Sequence, residues 1–279
     1  MTSILIAAHN EEASLARSLS ALASDRTPGR QTIVVANGCR DATAEVARRY
    51  DNVVVLELTE GSKPNALNAG EAVATGFPRI YLDADIVVPR GGVAALSAAL
   101  ATGEKLAAVP ARVLNTEGRP WLVRAYFAVN ERLPVFKDGL FGRGMIALSA
   151  DGRARFDTFP IMVADDLFLD SLFTPAEKAH VHTVVVTIDT PLTVKDLIGR
   201  LVRVRRGNAS MRRAGTRGEV AAKIRQADRW SWLRDVLRRE PRLAPECAAY
   251  VVLTLIAAFQ SRRGPADSMS WGRSATTTR

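Results

Sequence analysis

The sequence predicts an α/β protein: a mostly parallel central sheet with helices on both faces, and further helices towards the C-terminal end. Three observations predict it. Short, nearly uninterrupted apolar runs at residues 3–8, 32–36, 53–58 and 80–82 have the composition of strands buried on both faces. Stretches of helical spacing stand between them, the alternation that builds parallel sheets. Each run also ends in polar groups, Asn10 and Glu11, then Asn37, then Asp83 and Asp85. In such sheets ligands bind outside the carboxyl ends of the strands.

The elements follow in order. After the first strand, His9-Asn10-Glu11-Glu12 reads as a polar turn, and Leu15, Leu19 and Leu22 mark the apolar face of a helix. The second strand ends in Asn37-Gly38-Cys39-Arg40-Asp41 before a helix through Ala44, Val46 and Ala47. Beyond the third strand, Ser62 stands at an N-cap position with Pro64 in the first turn, so a helix starts there and Lys63 sits at its positive end. After Asp85 the pattern predicts a small-residue helix over 91–101, a strand over 106–113 and a helix over 121–133. The aromatics Trp121, Tyr126 and Phe127 on that helix read as core. Glycines at 139, 142 and 144 lead into another strand, which is the wrong context for a dinucleotide-binding loop. His180 and His182, two apart before an apolar strand at 184–188, read as polar strand residues in preference to metal ligands.

The chain holds 279 residues with a net charge of +9. Its apolar content is ample for a real core, which excludes a disordered protein. Cys39 and Cys247 form neither a metal spacing nor a disulfide framework, and this suits a reducing cytoplasm. The chain opens in a strand-like run without a basic segment, so no secretory signal is expected. The positive charge looks like a nucleic-acid signature until it is divided: residues 195–242 hold 15 Lys/Arg against 5 Asp/Glu, whereas residues 1–194 hold 19 against 22. A single basic stripe serves the phosphates of a nucleotide or lipid, or an anionic membrane, as readily as nucleic acid. No nucleic-acid partner is expected.

Asp83-Ala84-Asp85 closes a buried strand. On extended backbone, residues two apart point the same way. Two such carboxylates repel unless a cation lies between them, and hard oxygen ligands suit Mg²⁺ or Mn²⁺. A solvated turn or helix cap is the bland alternative.

Ala8-His9-Asn10-Glu11-Glu12, Asn37 to Asp41, Lys63 to Gly70 and Asp83-Ala84-Asp85 together resemble, in order and spacing, the donor half of the family-2 glycosyltransferases with the GT-A fold. The resemblance implies that Ala7, His9, Glu11 and Asn37 cradle the base and ribose of a nucleoside-diphosphate sugar. It implies also that Lys63 lies near the donor, and that Asp83 and Asp85 hold a divalent cation on its diphosphate. The chain departs from the family where Ala7 and His9 replace the usual Pro and aromatic, and where Asn37 replaces an Asp. The glycine-rich stretch 137–149 is similar to one that the family places beside the donor sugar.

Adjacent acids Asp165 and Asp166 precede an apolar run, and negative charge at a helix N-terminus would account for them alone. By resemblance they are the acidic pair whose second member, Asp166, deprotonates the acceptor hydroxyl in inverting enzymes, with Asp165 in place of the more usual Glu. The arginine often found a few residues later is absent, and Ser171 stands near its place. Arg200, Arg203 and Arg206 repeat along one face of a helix that Gly207-Asn208 is expected to close. The family implies contacts to the donor diphosphate for such a stripe, which selects Arg203 and Arg206. Residues 219–242 read as a charged helix. The apolar run 248–259 falls short of the roughly 20 residues that span a bilayer, and reads as a core or interfacial helix.

The expected organisation is therefore a catalytic domain over 1–242, with a donor half to about 113 and an acceptor half over 114–242, followed by a helix and tail over 243–279 that pack on it or face a membrane. The expected activity is inverting, metal-dependent sugar transfer to a saccharide or lipid-linked acceptor in polysaccharide or glycolipid assembly. The location expected is the cytoplasm, or the inner face of the cell membrane if an anionic surface is a partner. Two alternatives stay open, a sugar-nucleotide nucleotidyltransferase and a noncatalytic nucleotide- or membrane-binding protein.

Overall fold

The computed structural model describes residues 1–263 apart from 26, 163 and 221. The Ser/Thr-rich tail from Gly264, with Trp271, lies outside the described residues. Seven strands form one sheet in the order β3-β2-β1-β4-β6-β5-β7: β1 Thr2–Ala8, β2 Arg30–Asn37, β3 Val53–Leu58, β4 Arg79–Asp83, β5 Ala107–Asn115, β6 Met145–Leu148 and β7 Lys178–Asp189. All neighbours run parallel except β6, which is antiparallel to both β4 and β5. The mostly parallel α/β expectation holds.

Alternate residues of the strands feed two cores, one on each face. Ile4, Ile6, Ile80 and Leu82 meet Leu15, Leu19 and Leu22 of α1 (Glu12–Ser24) and Val93 and Leu96 of α4 (Gly92–Leu100). Leu5, Ile33, Val35 and Tyr81 meet Ala66 and Leu67 of α3 (Lys63–Val73) and the aromatic group Phe156, Phe159 and Phe168. Two-residue alternation in the strands and helical spacing in the covering elements produce these layers directly.

Later elements differ from the sequence expectations. The helix from Trp121 stops at Asn130 (α5), because Pro134 excludes helical backbone at the residue before it; a short α6, Pro134–Asp138, follows. Tyr126 and Phe127 are buried, whereas Trp121 is 47% exposed. Three further short helices complete the inventory between residues 43 and 171, α2 (Thr43–Arg48), α7 (Ala150–Arg153) and α8 (Asp165–Ser171).

Gly207-Asn208 does not end its helix, and α9 runs Val194–Thr216. A glycine inside a helix costs about 1 kcal/mol. Burial of Gly207, Met211 and Ala214 outweighs that, and the chain stops only near Gly218, whose φ of +73° is the left-handed terminator.

Residues 219–242 are mostly irregular, with one wide helical turn at Trp232–Leu237. Val220 and Ile224 are buried in the core, and the Arg225 N–H donates to Ser171 Oγ at 3.1 Å. Tertiary anchoring of this kind replaces the predicted charged helix. The last helix, α10, spans Ala244–Arg263 and packs on α5 and α9. Residues 241–263 are long and apolar enough to cross a membrane by length and composition, which the 248–259 run alone is not, and 22% of the apolar window is buried.

Candidate active site

β1, β2 and β4 bring their carboxyl ends to one edge, since Ala7 pairs with Asp83 and Ala8 with Ala36 in register. His9 Nδ1 lies 2.6 Å from the Asn37 carbonyl oxygen. A carbonyl only accepts, so Nδ1 carries the proton and Nε2 accepts from the Asn10 amide at 3.2 Å. Asn37 is fully buried; its Oδ1 accepts from the Ser62 N–H at 3.0 Å, and its Nδ2 has no partner among the described residues. The Glu11 N–H donates to Thr43 Oγ1 at 2.9 Å, and its carboxylate accepts from Ser14. Gly38 makes this crossing possible, because at φ +63° a Cβ there would meet the Gly61 nitrogen at 2.6 Å. Ala7, His9, Glu11 and Asn37 thus share one polar corner.

Asp83 ends β4. Its carbonyl accepts from the Ile86 N–H at 3.1 Å, so Asp83-Ala84-Asp85 is a turn, where the sequence suggested extended strand. The Asp83 N–H donates to the Gly144 carbonyl at 2.8 Å, which ties the turn to the start of β6. Gly144 has φ +63°, and a Cβ there would stand 2.4 Å from Ile86 Cγ1 and 3.3 Å from Asp83 Oδ2.

Lys63, first residue of α3, reaches Asp83 Oδ1 at 2.9 Å and Asp165 Oδ2 at 2.8 Å. Its ammonium therefore joins the donor-side acids to the pair at the start of α8. Burial alone would depress Lys63, but Asp165, Asp83 and Asp166 together outweigh it and hold the group well above its ordinary value. Asp165 and Asp166 occupy the first turn of α8, so the helix-terminus reading and the site reading both apply. Burial, followed by repulsion from Asp165 and Asp83, pushes the Asp166 carboxyl up from 3.8 to about 7, against the pull of Lys63 and the Gly142 N–H. That N–H donates to Asp166 Oδ2 at 3.2 Å.

Arg206 donates from Nε to the Ser261 carbonyl at 3.2 Å and from Nη2 to the Gln260 carbonyl at 3.4 Å, so the structure ties it to the end of α10. Arg203 lies half-buried three residues earlier on α9. His180 and His182 fall within β7 and line a pocket with Arg112 and Arg143.

Sequence reasoning missed Asp170. Buried at 1% exposure, it accepts from Lys178 Nζ at 2.6 Å, from the Leu140 N–H at 2.9 Å and from Arg225 Nη1 at 3.2 Å. It thereby locks α8, and with it Asp165 and Asp166, to β7 and to the glycine-rich stretch. No local pattern announces it, because Arg225 is 55 residues away in sequence.

A family model described as glycosyl transferase family 2 matches residues 3–155. The chain belongs to that family. Among solved structures, it is similar to the mannosyltransferase PcManGT from Pyrobaculum calidifontis in complex with GDP-Man and Mn²⁺, with 18% identity over 95% of this chain and 76% of that one and a TM-score of 0.61. The glucosyl-3-phosphoglycerate synthase from Mycobacterium tuberculosis in complex with phosphoglyceric acid gives 17%, 76%, 79% and 0.56 in the same order. TarS 1–349 from S. aureus in complex with UDP gives 14%, 95%, 92% and 0.54. At these identities the likeness shows the fold, which is GT-A. No curated protein matches the chain. This family-2 member is thus a glycosyltransferase in class, and its polar corner and acidic cluster fall at the carboxyl edge of a GT-A sheet.

Proposed function

We propose that the protein transfers a sugar, with inversion, from a nucleoside-diphosphate sugar to an acceptor hydroxyl. The observation that carries this reading is the acidic cluster around Lys63, in which one carboxylate, Asp166, is brought to about 7. A hydroxyl is a poor nucleophile, and a base poised near neutrality takes its proton most effectively. A single displacement needs one such base. Asp165 positions Lys63 and keeps Asp166 basic by repulsion.

On the donor side, His9, Glu11 and Asn37 hold the base and ribose beside Ala7. Asp83 and Asp85 suit a divalent cation. Their oxygens are hard ligands, and Lys63, paired with Asp83 Oδ1 at 2.9 Å, already places a positive charge beside one of them. When bound, Mg²⁺ or Mn²⁺ would neutralise charge developing on the leaving nucleoside diphosphate. The GDP-Man and Mn²⁺ bound to PcManGT support this choice. Arg203 and Arg206, three residues apart on α9, are the arginines assigned to the diphosphate.

The proposed setting is polysaccharide or glycolipid assembly on the inner membrane face. Val252, Leu255 and Phe259 of α10 are each more than half exposed, and the exposed Arg262 and Arg263 stand in its last turn. Apolar contact beside cations fits an anionic bilayer surface. Flotation with phosphatidylglycerol vesicles, lost at high salt and in Leu255→Glu, is the expected result; absence of flotation at low salt refutes it.

The central test incubates the protein with a panel of nucleoside-diphosphate sugars and Mg²⁺ or Mn²⁺, and follows nucleoside diphosphate release. Release is expected to disappear in Asp85→Ala. Pyrophosphate-dependent formation of nucleoside triphosphate would refute the transferase and identify a nucleotidyltransferase.

A further inference from the structure

A pocket at the bulge between β5 and β7 is lined by an excess of cations. It is a cavity of about 210 Å³ whose walls include Arg112, Arg143, His180, His182, Phe136 and Glu131. That is below the roughly 300–1,000 Å³ of a cleft for a drug-sized ligand, a size that suits a small head group. Arg143 is 6% exposed; its Nη2 donates to the Phe136 carbonyl at 2.8 Å, and its Nε, fully buried, has no partner among the described residues. The Arg112 guanidinium lies over the Phe136 ring at 4.5 Å. Among the described residues, neither arginine has a carboxylate within ion-pair distance. Glu131, the acid on the wall, is paired with Arg132 at 2.7 Å. A buried and a half-buried guanidinium that lack an ion-paired carboxylate are costly, and an anion relieves that cost.

Topology puts this pocket at the reacting end of the sheet. Arg79 of β4 and Ala107 of β5 both face Leu148 of β6, so Arg112 stands just past the level of Asp83. There the register of β5 against β7 jumps, with Pro110 opposite Val181 and Ala111 opposite Val185, and the three extra residues of β7 begin with His182. Such bulges re-aim side chains beside active sites. The Gly142 peptide completes the connection: its N–H donates to Asp166 at 3.2 Å and its carbonyl accepts from Arg112 Nη1 at 3.1 Å. Those links keep the guanidinium within about 10 Å of the proposed base.

We propose that this pocket is an acceptor subsite for an anionic group, a phosphate or carboxylate, standing a few bonds from the hydroxyl that Asp166 deprotonates. Arg112 and Arg143 bind the anion, and His182 forms the rim. This rests on the transferase reading above, and its test is kept separate from turnover. Glycerol 3-phosphate, glycerate and glycerol present similar hydroxyls with a phosphate, a carboxylate or neither. Calorimetric titration of each, without donor, is expected to show binding of one or both anions and none of glycerol. Arg112→Gln is expected to weaken the anion at least tenfold, and His182→Gln, at an exposed position that leaves the core intact, several-fold. An anion seated at the donor side would ignore both substitutions. Equal affinity in the wild type and in folded Arg112→Gln and His182→Gln, or no anion binding tighter than about 10 mM, overturns the proposal. Should no nucleotide sugar turn over while anion binding still depends on Arg112, the transferase reading fails and the subsite stands.

Discussion

Asp166→Asn separates the chemistry of this residue from its structural cost. The rise of the carboxyl from 3.8 to about 7 corresponds to about 4 kcal/mol against the ionised form, a ceiling that solvent at this half-buried site lowers to about 2–3 kcal/mol. The folded protein keeps a proton that the unfolded chain releases above about pH 4, so in the wild type this group's contribution to stability falls as pH rises from about 4 to 7 and is level beyond. Asparagine cannot ionise, and its Oδ1 can still accept from Gly142 while Lys63 retains Asp83 and Asp165. The variant should therefore be more stable than the wild type by about 2–3 kcal/mol at pH 8, with no gain at pH 4, in urea unfolding at the two pH values. Its kcat should fall about 10²- to 10⁴-fold with nucleotide affinity retained, and the rising limb of kcat/KM near pH 7 should vanish. A variant that keeps a tenth of the activity with the same rising limb, or that gains nothing at pH 8, would refute the assignment.

Lys63→Met removes the cation shared by Asp83 and Asp165; with Asp83 at 42% side-chain exposure, about 1–3 kcal/mol should be lost in urea unfolding. Because Lys63 pulls Asp166 down, any residual activity should rise at a higher pH than in the wild type. Gly144→Ala forces a left-handed residue against Ile86 and should cost about 1–3 kcal/mol on thermal melting, with nucleoside diphosphate release reduced because Asp83 is bonded to that peptide. Asp170→Ala leaves the buried Lys178 without its partner and should cost about 3–5 kcal/mol in denaturant unfolding, a loss that an exposed acid such as Asp151 replaced by Ala would not reproduce.

Wherever local pattern dominates, the sequence reading and the structure agree. Apolar runs buried on two faces, a capped helix at Ser62 and polar strand ends identified the first four strands and the edge that carries His9, Asn37 and Asp83. The readings that failed were those in which packing opposes local preference. Gly207 continues a helix because it is buried, and the segment around Arg225 stays irregular because Ser171 and Asp170 hold it.

By itself, the sequence determined the alternation of strands and helices, and it supplied the edge at which a ligand is proposed to bind and the candidate acids Asp83, Asp85, Asp165 and Asp166, since each depends on residue type and short spacing. Tertiary structure alone decided that Lys63 bridges two of those acids, that Asp170 anchors their helix, that Arg112 shares a pocket with Arg143 and that Gly142 links Arg112 to Asp166. These groups come from distant parts of the chain. Only the sheet order and the buried charges that it forces together set their contacts and their protonation.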